Sequence, residues 1–290
     1  MEILTPNMLK RILISLTVGM LINATLSSPL LAKGTEELPQ AKEYSPWAFV
    51  AGPSLYNRAT ISPRYGDYTF TNKPIPSYCF GVMYTFHPEQ KWSFSTGLLV
   101  NNEPVYRISI KIKKSDLYPH YREDYESEEW MYAIYTFSFP LWLEYNVHLR
   151  KKTNLILSTG LKAMFFPYGS ADMVTRIFNE EHNESREIFG LKLNSQDFFF
   201  YGSYTAGFGV SHMTGWSLLK VNVIYVVNFQ NTFEGEYQFA NLLSSPDSRG
   251  YYKLSGNYIG LLFSVNLKKK ESKIGTVQTK GLIKHRLTNY

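Results

Sequence analysis

DFFFYGSYTAGFGVSHMTGWSLLKVNVIYVVNF, residues Asp197 to Phe229, decides how the rest of the chain is read. Its first half sets Phe198, Phe200, Tyr204, Ala206, Phe208 and Val210 on one parity, with Ser203, Thr205, Gly207, Gly209 and Ser211 on the other. Its second half sets Leu219, Val221, Val223, Tyr225, Val227 and Phe229 against Lys220, Asn222 and Asn228, with Ile224 and Val226 interrupting. A period of two gives a strand one apolar face and one small or polar face. Met213, Thr214 and Gly215 leave room only for a tight turn, so the stretch predicts a long hairpin with Trp216 just past the turn.

The same alternation recurs on both sides of this hairpin. It predicts eight strands near 46–56, 76–87, 91–113, 130–149, 153–167, 197–212, 216–229 and 251–267. Tyr78, Phe80, Val82, Tyr84 and Phe86 share one face of the second; Phe137, Phe139, Leu141, Leu143 and Tyr145 share one face of the fourth. Pro140 breaks the rule, because a closed sheet has no free edge to absorb a missing N–H. A bulge is expected there, with Trp142 filling the interior beside it.

The connections alternate between long and short. The long ones cover 57–75, 114–129, 168–196 and 230–250; the short ones are His87–Gln90, Arg150–Lys152 and Met213–Gly215. Sorting by length onto two sides is the pattern of an outer-membrane barrel, with long loops outside and short turns in the periplasm. A soluble barrel or a sandwich has no reason to sort them. The expected fold is therefore all-β, an eight-stranded antiparallel transmembrane up-and-down barrel in the outer membrane of a Gram-negative bacterium, with both termini periplasmic. Trp47, Trp92 and Trp216 fall at strand ends beside short turns, and Trp130 beside a long loop. They are expected as interface aromatics in contact with outer-membrane lipid.

Composition supports this reading. Mean hydropathy is -0.22, and no apolar run long enough for a spanning helix occurs outside the N-terminus. The net charge of +6 belongs to the C-terminal tail, where seven basic residues oppose Glu271 alone. The body is near neutral, so no nucleic-acid partner is expected. Cys79 is the one cysteine, read as a small buried strand residue. Lys10, Arg11 and the apolar run from Ile12 to Leu26 read as a secretory signal peptide over 1–32. A short leader (33–45), the barrel (46–267) and a basic periplasmic tail (268–290) follow.

FPLWLEYNV (Phe139–Val147), NLILSTGLKAMFF (Asn154–Phe166) and the last strand GNYIGLLFSVNL (Gly256–Leu267) resemble the PorT-like outer-membrane β-barrel family, which is similar in architecture to the OmpX and OmpA barrels. The resemblance implies an outer-membrane location. Some relatives serve protein secretion, and most have no assigned role. The 23 residues after Leu267 depart from barrels that end on the last strand.

No catalytic, cofactor-binding or metal-binding motif is present, so a non-enzymatic role is expected and no cofactor. Glu180, Glu181, His182 and Glu184 read as a solvated loop. Glu144, Lys162 and Lys220 share the inward parity, and Arg107 joins them if the third strand runs unbroken. Opposite charges in a low-dielectric interior should pair, giving a plugged lumen. The chain is expected to be a monomeric surface interaction or scaffold protein. A protein partner would meet the 114–129 hairpin loop, expected to project as a fin, or the basic tail. The alternatives are a narrow passive pore gated by the lumenal charges and, more remotely, an outer-membrane enzyme.

Overall fold

The computed structural model describes residues 39–133, 135–165, 169–179, 183–195 and 200–269. The expected signal peptide, residues 33–38 of the leader, the tail from 270 onward, and Phe198, Phe199, Glu180, Glu181 and His182 lie outside the described residues. Among the described residues the strands are β1 (Trp47–Tyr56), β2 (Thr60–Tyr65), β3 (Thr71–Asn72), β4 (Ile75–Phe86), β5 (Trp92–Asn101), β6 (Pro104–Ile112), β7 (Tyr125–Tyr132), β8 (Thr136–Arg150), β9 (Thr153–Phe165), β10 (Ser170–Asn179), β11 (Glu184–Asn194), β12 (Phe200–Met213), β13 (Ser217–Asn228), β14 (Phe233–Phe239), β15 (Ser248–Leu254) and β16 (Tyr258–Leu267).

Eight of them close into an antiparallel barrel, in the order β1-β4-β5-β8-β9-β12-β13-β16 and back to β1. The eight-stranded barrel expected from the alternation is the one found. The seam pairs Phe49 with Val265 and Tyr56 with Tyr258. The parity of the quoted hairpin holds throughout the wall. Phe49, Phe80, Phe139, Phe208, Ile259 and Phe263 face outward and are exposed. Ser95, Thr136, Ser138, Ser203 and Thr205 face inward and are buried. This inverts the usual arrangement, with apolar rings outside and hydroxyls inside. At the turn between β12 and β13, the Thr214 Oγ1 accepts from the Ser217 N–H at 2.9 Å, which closes the tight loop.

Pro140 causes no bulge. The β5–β8 ladder keeps one register from Trp92↔Tyr145 to Asn101↔Thr136, with no rungs at Gly97 and Leu98. The missing N–H removes rungs without moving the strand, because β9 holds it on the other side through Pro140↔Lys162. The register shift of β8 lies instead between His148 and Arg150, beside the short turn.

The long connections are not irregular loops. They fold into a second unit, a cap at the end of the barrel away from the short turns. One sheet has the order β10-β11-β14-β15-β2 and the other β3-β6-β7. Three predicted strands had merged a barrel strand with a cap strand. Asn102 and Glu103 separate β5 from β6, residues 133–135 separate β7 from β8, and residues 255–257 separate β15 from β16. Gly256 makes the last break at φ 68°, where a Cβ would stand 2.2 Å from Asn228 Nδ2. The expected fin is therefore the β6–β7 hairpin, held within a three-stranded sheet.

The two cap sheets share one buried core, in which Ile108, Ile110 and Ile112 meet Phe189, Leu191, Tyr237 and Leu254. Phe70, from the link between β2 and β3, lies edge-on to Phe189 at 5.6 Å and to Tyr237 at 4.9 Å. Buried Asp116 ties three segments together. Its carboxylate accepts from the Tyr68 hydroxyl at 2.6 Å, from the backbone N–H groups of Ser244 and Ser245 at 3.0 and 2.7 Å, and from the Ser245 hydroxyl at 3.0 Å. Burial opposes its ionisation, yet these donors win and hold the carboxyl below the usual range. Burial and the bond to Asp116 push the Tyr68 phenol up to about 12.

A carboxyl depressed in the folded state contributes stability above its unfolded pKa of about 3.9 and loses it as pH falls through the folded value. The cap should therefore become protease-sensitive below about pH 4 while the barrel stays folded. Asp116→Asn should remove that acid step and weaken the cap by about 1–3 kcal/mol at neutral pH, read by limited proteolysis across a pH series.

Candidate functional site

The barrel lumen holds the charged groups that the wall cannot. Glu144 on β8 and Lys220 on β13 meet across it, Nζ to Oε2, at 2.7 Å. Both side chains are shielded, at 4 % and 11 % exposure. The second carboxylate oxygen of Glu144 accepts from Ser95 Oγ at 3.0 Å, and Ser95 in turn lies 2.9 Å from Thr85 Oγ1. Between β8 and β13 run β9 and β12, whose inward residues at this level are Ser158 and Gly207. The small parity of the quoted hairpin thus leaves space for two long side chains to cross.

Nearer the cap a second group forms. Lys162 is 3 % exposed and donates to the Tyr258 hydroxyl at 3.3 Å, with its ammonium 4.9 Å from that ring's centre. The Tyr258 and Tyr56 rings lie 4.6 Å apart, and the Tyr56 hydroxyl donates to Glu103 Oε2 at 2.8 Å. Two tyrosines therefore stand between a buried cation and a buried carboxylate, whose charges also attract at longer range. Glu103, Tyr56 and Tyr258 were not singled out from the sequence. The signal was present: Glu103 sits on the inward parity that runs from Ser93 through Ser95 and Asn101. Cys79 is buried beside this group.

Arg107 is not in the lumen. The third predicted strand leaves the barrel after Asn101, and the parity that faced inward becomes the solvent face of the cap. Arg107 there donates from Nε to Glu128 at 2.9 Å, and its guanidinium lies 5.6 Å from the Trp130 ring centre. Trp130 is likewise off the barrel wall, on β7, and 59 % exposed. The other three tryptophans expected at the interface lie at the short-turn end, Trp47 and Trp92 at the starts of β1 and β5 and Trp216 in the turn before β13. Trp47 lies edge-on to Tyr84 at 4.9 Å, Trp92 is 4.5 Å from Tyr145, and Trp216 is exposed.

Apolar side chains also enter the lumen. Trp142 projects inward and is buried, and a Cβ on Gly160 would stand 2.9 Å from its Cδ1. Ile224, Val226, Leu262, Leu99 and Met83 pack with it. At the turn end, Tyr44 packs with Met213 and Leu218, and its hydroxyl donates to the Thr214 carbonyl at 2.6 Å. Trp142 Nε1, Thr205 Oγ1 and Asn222 Oδ1 are buried on the lumenal face without hydrogen-bond partners. Among the described residues no three His, Cys, Asp or Glu side chains gather as metal ligands.

The fold is similar to that of the outer membrane protein OprG from Pseudomonas aeruginosa, at 10 % identity over 78 % of this chain and 98 % of that one, with a TM-score of 0.40. It is also similar to the outer membrane protease OmpT from Escherichia coli, at 9 % identity over 77 % and 98 % of the two chains, with a TM-score of 0.31. No protein-family model and no curated protein matches the sequence.

Removing one member of a buried pair leaves the other charge uncompensated. Glu144→Ala should cost about 3–5 kcal/mol in denaturant unfolding of the detergent-solubilised barrel, and Glu144→Leu with Lys220→Met should recover most of it. Arg107→Ala, on the cap surface, should cost no more than about 1 kcal/mol.

Proposed function

We propose that this chain is an outer-membrane β-barrel with a sealed lumen that works, without enzymatic activity, through the folded cap it carries at the cell surface. The observation that carries the reading is the cap itself. Eight strands built from the four long connections enclose a core of their own, while the barrel beneath is packed with side chains. An eight-stranded barrel has an interior just wide enough to be filled in this way. The outward apolar wall and the turn-end aromatics Trp47, Trp92 and Trp216 support contact with outer-membrane lipid. In this orientation the short turns and both termini are periplasmic and the cap is extracellular.

On this reading a protein partner meets the cap near 114–129, where Glu123, Glu126 and Glu129 are exposed, or the basic tail on the other side of the membrane. Kinship with PorT-like barrels, and through it a link to protein secretion, belongs to the same proposal. A narrow pore is the second reading, favoured by the unpartnered polar atoms of Trp142, Thr205 and Asn222 inside the barrel.

Planar-bilayer conductance of the refolded full chain separates the two. The sealed reading expects no discrete steps, either in the parent protein or in Glu144→Ala. Steps that grow in Glu144→Ala would transfer the function to the lumen. A membrane-impermeant maleimide added to intact cells should label Glu126→Cys on the cap surface; absence of labelling there, with labelling after lysis, would overturn the orientation.

A further inference from the structure

Among the described residues the cap sheets have four edge strands, and three are guarded; β3 is only two residues long. β2 is six residues long and carries Pro63, and its pairing with β15 is irregular at Arg249 and Gly250. β7 carries Glu126, Glu128 and Glu129. Short length, proline and charge are the usual protections of an edge. β10 is neither short nor interrupted by proline, and its two exposed charges, Asp172 and Arg176, are opposite in sign, so they do not repel a matching edge. It is ten residues long, has no proline or lysine, and alternates between exposed and buried without a break. The one register irregularity in its pairing falls opposite β10, where Ile188 of β11 is the extra residue. Among the described residues β10 is hydrogen-bonded as a strand on one side only.

Its exposed face reads Ser170, Asp172, Val174, Arg176, Phe178. Val174 is 44 % and Phe178 46 % exposed. Val174 stands opposite Gly190 of β11, which has no side chain of its own to set against it, although the Glu187 carboxylate reaches to 3.2 Å of where a Cβ on Gly190 would stand. Asp172 and Arg176 make no ion pair among the described residues. The charges are arranged about Val174 so that the strand is complementary to itself in the antiparallel sense.

We infer that the cap's partner is a second copy of this chain, joined edge to edge through β10 about a two-fold axis at Val174. The inference deepens the reading of the cap as an interaction unit and rests on it. In this register Val174 faces Val174 of the second copy, Asp172 faces Arg176 of the second copy, and Arg176 faces Asp172. A slip of two residues sets Asp172 against Val174 or against Phe178 and loses both ion pairs, so one register is selected. The row also continues across the seam. Glu236 of β14 stands opposite Lys192 of β11, Lys192 opposite Asp172, and Arg176 opposite Glu187. Joined at the seam, the row reads Glu236, Lys192, Asp172, then Arg176 and Glu187 of the second copy, alternating in sign at every step. Backbone bonds along the edge supply the association, and the charges supply the register. The barrel wall contributes nothing to such a contact, because closure leaves it no edge.

The test uses the full chain in detergent with Val174→Cys, the only other cysteine being Cys79, which is buried. Paired residues in an antiparallel sheet have Cα atoms about 4.5–5.5 Å apart, within the span of a disulfide. Diamide, as two-electron oxidant, should join two thiols into one disulfide and convert Val174→Cys to a covalent dimer. Glu236→Cys, two strands away on the same face, should stay monomeric. Sedimentation of the cysteine-free parent (Cys79→Ala) should show a dimer that high salt weakens. Asp172→Arg should weaken dimerisation roughly tenfold, and adding Arg176→Asp should restore it. A monomer in every arm, or cross-linking indifferent to Asp172→Arg, would overturn the inference. Capture of a different protein on Val174→Cys would also overturn it, while leaving the interaction reading of the cap in place.

Discussion

The seam between β1 and β16 is the constraint on which the rest of the molecule depends. Until those two strands pair, a row of N–H and C=O groups on each is unsatisfied, and in a bilayer each costs several kcal/mol. Once they pair, every strand of the wall has two neighbours. The outer face is then free to be apolar, and the polar side chains have only the interior to occupy. The inverted distribution of Phe208 outside and Ser203 and Thr205 inside follows from closure. So does the need to neutralise Glu144, Lys162 and Lys220, since a charged group turned inward has little water to meet.

The cap relates to the barrel through continuity of chain. Only Asn102 and Glu103 lie between β5 and β6. The strands that leave the wall carry their alternation with them, but the meaning of each parity changes at the rim. Inside the barrel the polar parity is buried; in the cap it faces solvent. Glu103 marks this boundary from below, as the last inward carboxylate, and Arg107 marks it from above, paired with Glu128 on the surface.

That change of meaning explains what the sequence revealed and what it hid. The eight wall strands were legible because most of them hold one parity for about ten residues, with breaks such as Ile224 and Val226 too few to hide the period, and the inward placement of Glu144, Lys162 and Lys220 followed from that parity. The cap was harder. β10 alternates cleanly in the structure, but Val174 and Phe178 put apolar residues on its solvent face and blur the pattern. In β11 the extra residue Ile188 places two buried side chains in succession and reverses the parity halfway along. Pro63 in β2 argues against a strand altogether. Arg107 was misplaced because a continuing period carries no mark of the point where one sheet ends and another begins, and Gly256 makes such a break with a single residue.

The two lumenal contacts have a mechanical consequence. Glu144–Lys220 joins β8 to β13, and Lys162–Tyr258 joins β9 to β16, each crossing to a strand three places around the ring and each at its own height. They act as struts set at an angle to one another. A hoop of eight strands held only by its wall would flatten under lateral pressure along its softest diameter. With two braces in different directions no soft diameter remains, and the cross-section is fixed from within.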